Sequence, residues 1–412
     1  MATYQILSII IALAALFAYV NDRWIKWPPT IGIMVLALFS SILIVILGNI
    51  FPSFSVGAHK IVTNIDFGQV LLKIMLSFLL FAGAIHIDAE KLKREFWPVM
   101  ILATIGVFIS TILVSVLSYY LFQIFGVQVP YIDCLLFGAL LSPTDPIAVM
   151  AILKRAGIPK SLEMKITGES LFNDGVGVVV FLSIFEVATG KGNNFSATGA
   201  ILLFLKEAGG GILFGAVMGY VAYFFIRSIA NYRVEVLITL ATVTLGYTIA
   251  DHLHISAPLA IIVTGIIIGS KVRGIALSQT SWDYLGKFWD LIDEIFNAIL
   301  FLLIGMQILQ VKIYSTIVLI GLAMILVVLL ARWVSVYFPV VLMRFKIKFE
   351  KNAVAILVWG GLRGGLSVAM ALSLPQSMHH DELVLITYII VIFSIIVQGL
   401  TIGKVAAKLK AV

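Results

Sequence analysis

At 412 residues, with 61% hydrophobic and only 12% charged side chains, the chain is too apolar for an ordinary soluble domain, whose charged fraction is about a quarter. A mean hydropathy of +1.11 marks a polytopic membrane protein. The formal net charge of +7 would suggest a nucleic-acid partner in a soluble chain. Here the basic residues sit in short loops between hydrophobic segments, so they report topology and no nucleic acid is expected. The lone Cys134 excludes a disulfide framework or a cysteine metal site and reads as a small buried hydrophobe.

Segments of about 17 to 30 apolar residues suit helices crossing a hydrocarbon core roughly 30 Å thick. Thirteen are expected, at 4–20, 29–50, 66–87, 96–125, 131–153, 161–189, 198–226, 234–250, 256–270, 284–310, 314–343, 352–374 and 381–406. Tyr4 to Val20 lacks a basic stretch before it and reads as the first span, not a cleaved signal. No stretch is long or polar enough for a soluble domain, so residues 1–412 read as a single transmembrane transporter domain.

The fifth span contains Ser142-Pro143-Thr144-Asp145-Pro146, a strong helix breaker at mid-depth. The sixth carries Gly168-Glu169-Ser170-Leu171-Phe172-Asn173-Asp174-Gly175, two carboxylates and an amide in otherwise apolar sequence. An ionisable group at bilayer depth is costly and is usually there for transport chemistry. On a helix Glu169 stacks over Asn173 and Ser170 over Asp174, forming one polar strip. Asp145 adds a carboxylate beside the backbone carbonyls that the break would free. Carboxylate, hydroxyl, amide oxygen and carbonyl are the donors a hard cation such as Na⁺ takes, which makes Asp174, Asp145, Asn173, Ser170 and Thr144 the candidate cation and proton site. Asp145 before Pro146 also has the form of a helix cap, and capping and ion binding are compatible. Thr144 and Ser170 could equally bond local backbone.

Span ten opens with Asp290, Asp293 and Glu294 at helical spacing, either a negative funnel for cations or a solvated helix end. In span eleven, Arg332 is expected to snorkel toward the nearer membrane face or to find a partner. Span twelve contains Gly360-Gly361-Leu362-Arg363-Gly364-Gly365, the second breaker. Arg363 is too deep to snorkel and needs an anion; Glu169 is the expected partner, in a structural ion pair. The run His379-His380-Asp381-Glu382 lies in one loop without the ligand spacing of a closed metal site. His86, His252 and His254 are expected near the membrane interfaces.

Broken helices are tolerated only where protein or a water-filled cavity satisfies the freed backbone groups, so the two breaks point to a cavity. They lie an odd number of spans apart and cross in opposite senses, as in inverted-topology repeats. The repeats are expected at about 1–189 and 234–406, with 198–226 as the linking helix. If the C-terminus is cytoplasmic, most of the 28 Lys and Arg fall in cytoplasmic loops, and the other side keeps only Lys60, Lys73, Lys191, Lys206 and Lys312. The positive-inside bias therefore predicts a plasma-membrane protein with its N-terminus outside and its C-terminus cytoplasmic.

The segments Leu141-Ser142-Pro143-Thr144-Asp145-Pro146-Ile147-Ala148-Val149, Gly168 to Gly175 and Gly360-Gly361-Leu362-Arg363-Gly364 resemble the signature segments of NhaP-like sodium/proton antiporters, the electroneutral branch of the cation-proton antiporter superfamily. Phe288-Trp289-Asp290 with Asn297 to Gly305 also resembles the tenth span of that family. The resemblance implies an all-α fold of thirteen helices, with a dimer-forming part and a six-helix core in which two broken helices cross. It implies a homodimer, Asp174 as the central ion and proton carrier, and the pairing of Glu169 with Arg363. In the third span, Phe81-Ala82-Gly83 stands where some prokaryotic relatives carry an acid.

The expected activity is exchange of Na⁺ or Li⁺ for H⁺ by alternating access, with metal at Asp174, Asp145, Ser170 and Thr144 and no cofactor beyond the transported ions. Asn173 stands where the electrogenic branch has Asp; an amide cannot carry a second proton, which favours one proton per cation. A K⁺/H⁺ antiporter uses the same oxygen ligands and is the alternative. A cation channel would show flux without proton counterflow. No nucleophile and base accompany Asp174, so an enzyme is not expected.

Overall fold

A computed structural model describes residues 3–48, 67–190, 197–229, 231–272, 279–309 and 311–410. Residues 49–50, 66 and 310 of the expected spans, and Lys60, Lys191 and Arg273, lie outside the described residues. A helix stands at every expected span, and spans 5 and 12 are interrupted at their breaks. Spans 1 to 4 are Thr3–Val20, Pro29–Gly48, Phe67–Ile85 and Phe96–Ile124. Span 5 is divided into Tyr131–Leu140 and Ile147–Arg155. Spans 6 to 11 are Lys160–Ala188, Ala197–Arg227, Tyr232–His252, Ala257–Lys271, Gln279–Met306 and Ser315–Met343. Span 12 is divided into Ala353–Trp359 and Gly365–Leu372, and span 13 runs from His380 to Lys410 through a π turn at Ser394–Gln398.

Local chemistry sets these ends. Pro143 and Pro146 have no N–H to continue the helix that stops at Leu140, and the four glycines between Gly360 and Gly365 remove side chains that would hold a continuous helix. The short helix Ala89–Arg94, between spans 3 and 4, is capped by Asp88, whose carboxylate accepts from the Glu90 and Lys91 amides. Ser256 caps span 9 by accepting from Leu259 N–H.

The spans sort into two bundles. Span 4 packs against 5, 6 and 11, and span 13 against 11 and 12, giving a core of spans 4, 5, 6, 11, 12 and 13. Spans 7, 8 and 9 pack on one another, span 3 on 9 and 10, and spans 1 and 2 on 10, forming the second bundle. The two meet mainly where span 6 lies against 7 and 9 and where spans 3 and 10 face span 12. Among the described residues nine helices are long and apolar enough to cross a membrane. In spans 6 and 13, 61% and 67% of the apolar window is buried, against 22% in span 1, which places the core at the centre and span 1 at the edge. Outward side chains such as Leu213, Phe224, Leu326 and Phe338 are large and apolar, as a lipid-facing surface requires.

At the face of the molecule richest in Lys and Arg, buried Lys165 of span 6 bonds Glu95 and Glu350, and its ammonium lies 5.2 Å from the centre of the Phe349 ring. Glu350 also accepts from the Ser161 hydroxyl. Burial works against the Glu350 charge, but Ser161 and Lys165 outweigh it and hold its carboxyl below the ordinary glutamate range. A depressed folded value contributes stability that is present above the unfolded value and lost as pH falls through the folded one. Glu350→Gln is expected to cost about 1–2 kcal/mol at pH 7, since Glu95 still faces Lys165. Thermal melting in detergent checks this: the gap between variant and parent should narrow as the pH is taken down from 7 through the carboxylate range.

Candidate functional site

The two breaks meet at the middle of the core. The Asp145 amide donates to the Leu362 carbonyl at 2.8 Å, an antiparallel bridge between interrupted segments of spans 5 and 12. Around this bridge the backbone groups freed by the breaks find partners on other spans, as low-dielectric surroundings demand. The Thr144 N–H donates to Asn173 Oδ1 at 3.2 Å, and the Arg363 N–H to Ser394 Oγ at 2.9 Å. Ser394 Oγ donates in turn to Gln398 Oε1 at 2.8 Å, and Gln398 Nε2 donates to the Trp359 carbonyl at 3.2 Å. The π turn in span 13 holds both Ser394 and Gln398, so the irregularity there serves the irregularity in span 12.

The buried arginines divide this work differently from the sequence expectation. Glu169 does not pair with Arg363. Both of its carboxylate oxygens accept from Arg332, Oε1 from Nη1 at 2.5 Å and Oε2 from Nη2 at 3.0 Å, while Nη2 also donates to the Leu357 carbonyl at 3.1 Å. Arg332 is 6% exposed, so it neither snorkels nor reaches solvent. Arg363 instead donates from Nη1 to the Ser142 and Pro143 carbonyls at 2.6 and 2.8 Å. The physical reason is that span 5 ends its first half with orphan carbonyls facing span 12, whereas span 11 brings a planar fork suited to a bidentate carboxylate beside Glu169.

A cavity of about 550 Å³ runs from His86, Lys154 and Asp290 near the basic face to Asp145 and Asp174. Its walls come from spans 3, 5, 6, 10 and 12 and are mostly apolar, with Leu71, Leu80 and Leu300 among them. Ala82 and Gly83 of span 3 also line it, so no acid faces the site from that position. Asp174 and Asp145 are both partly exposed to this space. Thr144, Ser170 and Asn173 lie buried beside it and bond one another: Thr144 Oγ1 is 3.2 Å from Ser170 Oγ, and Asn173 Nδ2 donates to Thr144 Oγ1 at 2.8 Å. Asn173 therefore clamps Thr144 at both its amide and its hydroxyl.

Of the three acids opening span 10, Asp290 and Asp293 line the cavity, and Asp290 pairs with His86 at 3.0 Å. Glu294 does not line it and is exposed. Helical spacing explains the difference: the cavity stripe follows residues 290, 293 and 300, and residue 294 is rotated off its edge. At the opposite face His379 Nδ1 bonds Asp133 at 2.8 Å, His380 bonds the Leu374 carbonyl, and Asp381 bonds Lys312, so this run ties neighbouring segments together.

Close approach requires glycine at positions 364 and 177, beside the break in span 5. A Cβ at Gly364 would stand 2.5 Å from Asp145 Oδ2, and one at Gly177 would overlap the Pro143 ring. Gly364→Ala is therefore expected to displace the Asp145 carboxylate and lower transport on the order of 10-fold or more while the protein still assembles. Transport assays on protein that elutes as the parent does on gel filtration test this; full activity would show that Asp145 needs no fixed position.

Crossed, interrupted helices around an acidic, water-accessible cavity define a membrane transporter, with the chemistry placed at the middle of the helix bundle. The family model for the sodium/hydrogen exchanger transmembrane region matches residues 10–408. The Na(+)/H(+) antiporter NhaP of Pseudomonas aeruginosa is 47% identical over 413 residues, which cover 99% of this chain and 97% of that protein. The Na(+)/H(+) antiporter NhaH of Halobacillus dabanensis is 34% identical over 357 residues, 85% of this chain and 86% of its own. The structure of the sodium proton antiporter MjNhaP1 from Methanocaldococcus jannaschii at pH 8 shares the fold, with a TM-score of 0.77 at 22% identity over 98% of this chain and 97% of that one. The chain belongs to the sodium/hydrogen exchanger family, a family of membrane transporters and not of enzymes.

Proposed function

We propose that this transporter exchanges Na⁺ or Li⁺ for H⁺, one for one, with cation and proton competing for the carboxylates of Asp174 and Asp145. The observation that carries this reading is the pair of carboxylates, from neighbouring spans, at the inner end of one cavity. The named relatives are Na⁺/H⁺ antiporters, which supports the ion pair chosen.

Charge balance supports the stoichiometry. Deep in the core spans stand three acids, Asp145, Glu169 and Asp174, and two guanidinium groups, Arg332 and Arg363. With all five ionised, the set carries one negative charge, and a single Na⁺ or a single proton neutralises it. A net charge inside the membrane is expensive, so the core crosses readily when loaded with either ion and rarely when empty. Obligatory exchange follows. Asn173, as a neutral amide, keeps the count at one.

In this scheme Asp174 and Asp145 hold the cation from the cavity side, and the Thr144 and Ser170 oxygens complete its shell from behind. Asn173 positions Thr144, and Arg363 and the Glu169–Arg332 pair fix the crossing. Alternating access is a movement of the six-helix core against the other bundle, with inverted repeats at about 1–189 and 234–406 and span 7 as linker. The basic face is cytoplasmic, with the N-terminus outside and the C-terminus inside, so the cavity opens to the cytoplasm. The working unit is a homodimer in the plasma membrane. ΔpH dissipation in proteoliposomes after addition of Na⁺, Li⁺ or K⁺ tests the reading: movement with Na⁺ or Li⁺ supports it, movement with K⁺ alone replaces the substrate, and none with any of the three refutes exchange.

A further inference from the structure

His86 follows the last turn of span 3, and its ring lies against Gly286 of span 10, where an added Cβ would stand 3.6 Å from Cε1. One turn further along span 10, Asp290 Oδ1 is 3.0 Å from His86 Nε2. The two side chains are 38% and 66% exposed, and both line the cavity at its basic-face end. Lys154 of span 5 and Asp293 of span 10 line it too. Two of the lysines near His86 are matched by acids: Lys91 of the short helix lies 2.8 Å from Asp88, and Lys154 lies 3.2 Å from Glu163 of span 6. Lys160 of span 6 borders, with these four and His86, an adjoining space of about 290 Å³. Lys271 ends span 9, whose Gly269 packs on Ile85, and Lys287 and Glu294 flank Asp290 on span 10. Imidazole is the side chain whose charge ordinarily changes between pH 5 and 8, whereas lysines keep theirs.

We propose that His86 sets the cation affinity of the cavity entrance, matching the charge of Asp290 when protonated and leaving it unmatched when neutral. The proposal rests on the exchange reading above. Protonated, the imidazole bonds the carboxylate as a charge pair and also meets the carbonyl end of span 3. An approaching cation then faces the positive charges of His86 and Lys154 at the entrance. Neutral, the ring leaves Asp290 with its full charge beside Asp293, and the entrance draws cations toward Asp145 and Asp174. Protons thus act at the entrance as well as at the central carboxylates. His86 acts through Asp290, so it is a positioning residue. Both side chains are open to screening by water and salt, which keeps the effect modest and confines it to the face on which the cavity opens.

Oriented vesicles of the full-length transporter test this, with Na⁺ or Li⁺ supplied to the cytoplasmic face at several pH values between about 5 and 8, where imidazole titrates. Proton competition at Asp174 and Asp145 acts on parent and variant alike, so the ratio of their KM values isolates His86. The parent KM should exceed that of His86→Gln about 2- to 5-fold at the acid end and match it at the alkaline end. His86→Arg keeps the charge and should hold KM above that of His86→Gln by the same factor at every pH, which separates a charge effect from a packing one. KM at the opposite face stays unchanged in both variants. His252→Gln, at the end of span 8, serves as the control. A ratio of parent to His86→Gln that does not change with pH, or a His86→Arg profile that follows the His86→Gln one, overturns the proposal. A parent protein that moves no cation against protons overturns the exchange reading itself, so the two failures are distinguishable.

Discussion

Asp174→Asn is expected to abolish cation-driven proton movement, a loss of at least about 100-fold, while the variant still inserts and elutes as the parent does. Asparagine matches aspartate in size and keeps an oxygen toward the cavity, so packing around Phe172 and Val176 is undisturbed. What changes is charge. The deep core set becomes neutral without any ion, and the empty carrier no longer has an electrostatic reason to wait for a cation or a proton. The substitution also removes one of the two carboxylates at the inner end of the cavity. Proton flux driven by Na⁺ or Li⁺ in proteoliposomes measures the effect; residual exchange near the parent rate would move the carrier role to another acid.

Arg332→Ala is expected to have the largest effect on stability. Glu169 is 1% exposed and has both oxygens committed to Arg332, so removal leaves a buried carboxylate without a cation and the Leu357 carbonyl without its donor. Breaking a buried pair from one side costs about 3–5 kcal/mol, enough to lower the yield of folded transporter severely. Arg332→Lys restores the charge but not the two-pronged geometry, and should recover only part of the loss. A double-mutant cycle of thermal melting separates the two arginines. Coupling between Glu169 and Arg332 is expected to be strong, and coupling between Glu169 and Arg363 weak; the reverse order would contradict the pairing.

The difference between those arginines also shows what was legible in the residues alone. The spans announce themselves as apolar runs, and the breaks at Pro143, Pro146 and the Gly360–Gly365 cluster follow from backbone chemistry. Asp174 and Asp145 stand out because ionisable groups are rare at that depth. Partner choice is different. Arg332 and Arg363 both lie about three turns inside a span, and nothing in their one-dimensional setting says that span 11 lies beside Glu169 while span 12 faces the carbonyls of span 5. Contacts between spans decide it. The same holds for Asn173, whose two bonds to Thr144 depend on how spans 5 and 6 cross. Glu294 could have been separated from Asp290 and Asp293 by helical angle, because the stripe that includes Leu300 excludes it. Lys165, near the start of span 6, is buried because Glu95 and Glu350, distant in sequence, converge on it.

The most direct test of one-for-one exchange is the number of protons moved per cation, measured in the same proteoliposomes by tracer Na⁺ uptake and internal pH, with the membrane potential clamped at several values. A ratio of one at every potential, with a rate that does not follow the clamp, is the predicted result. A ratio of two, or transport that scales with the potential and carries net charge, would contradict a core that needs a single positive charge to cross.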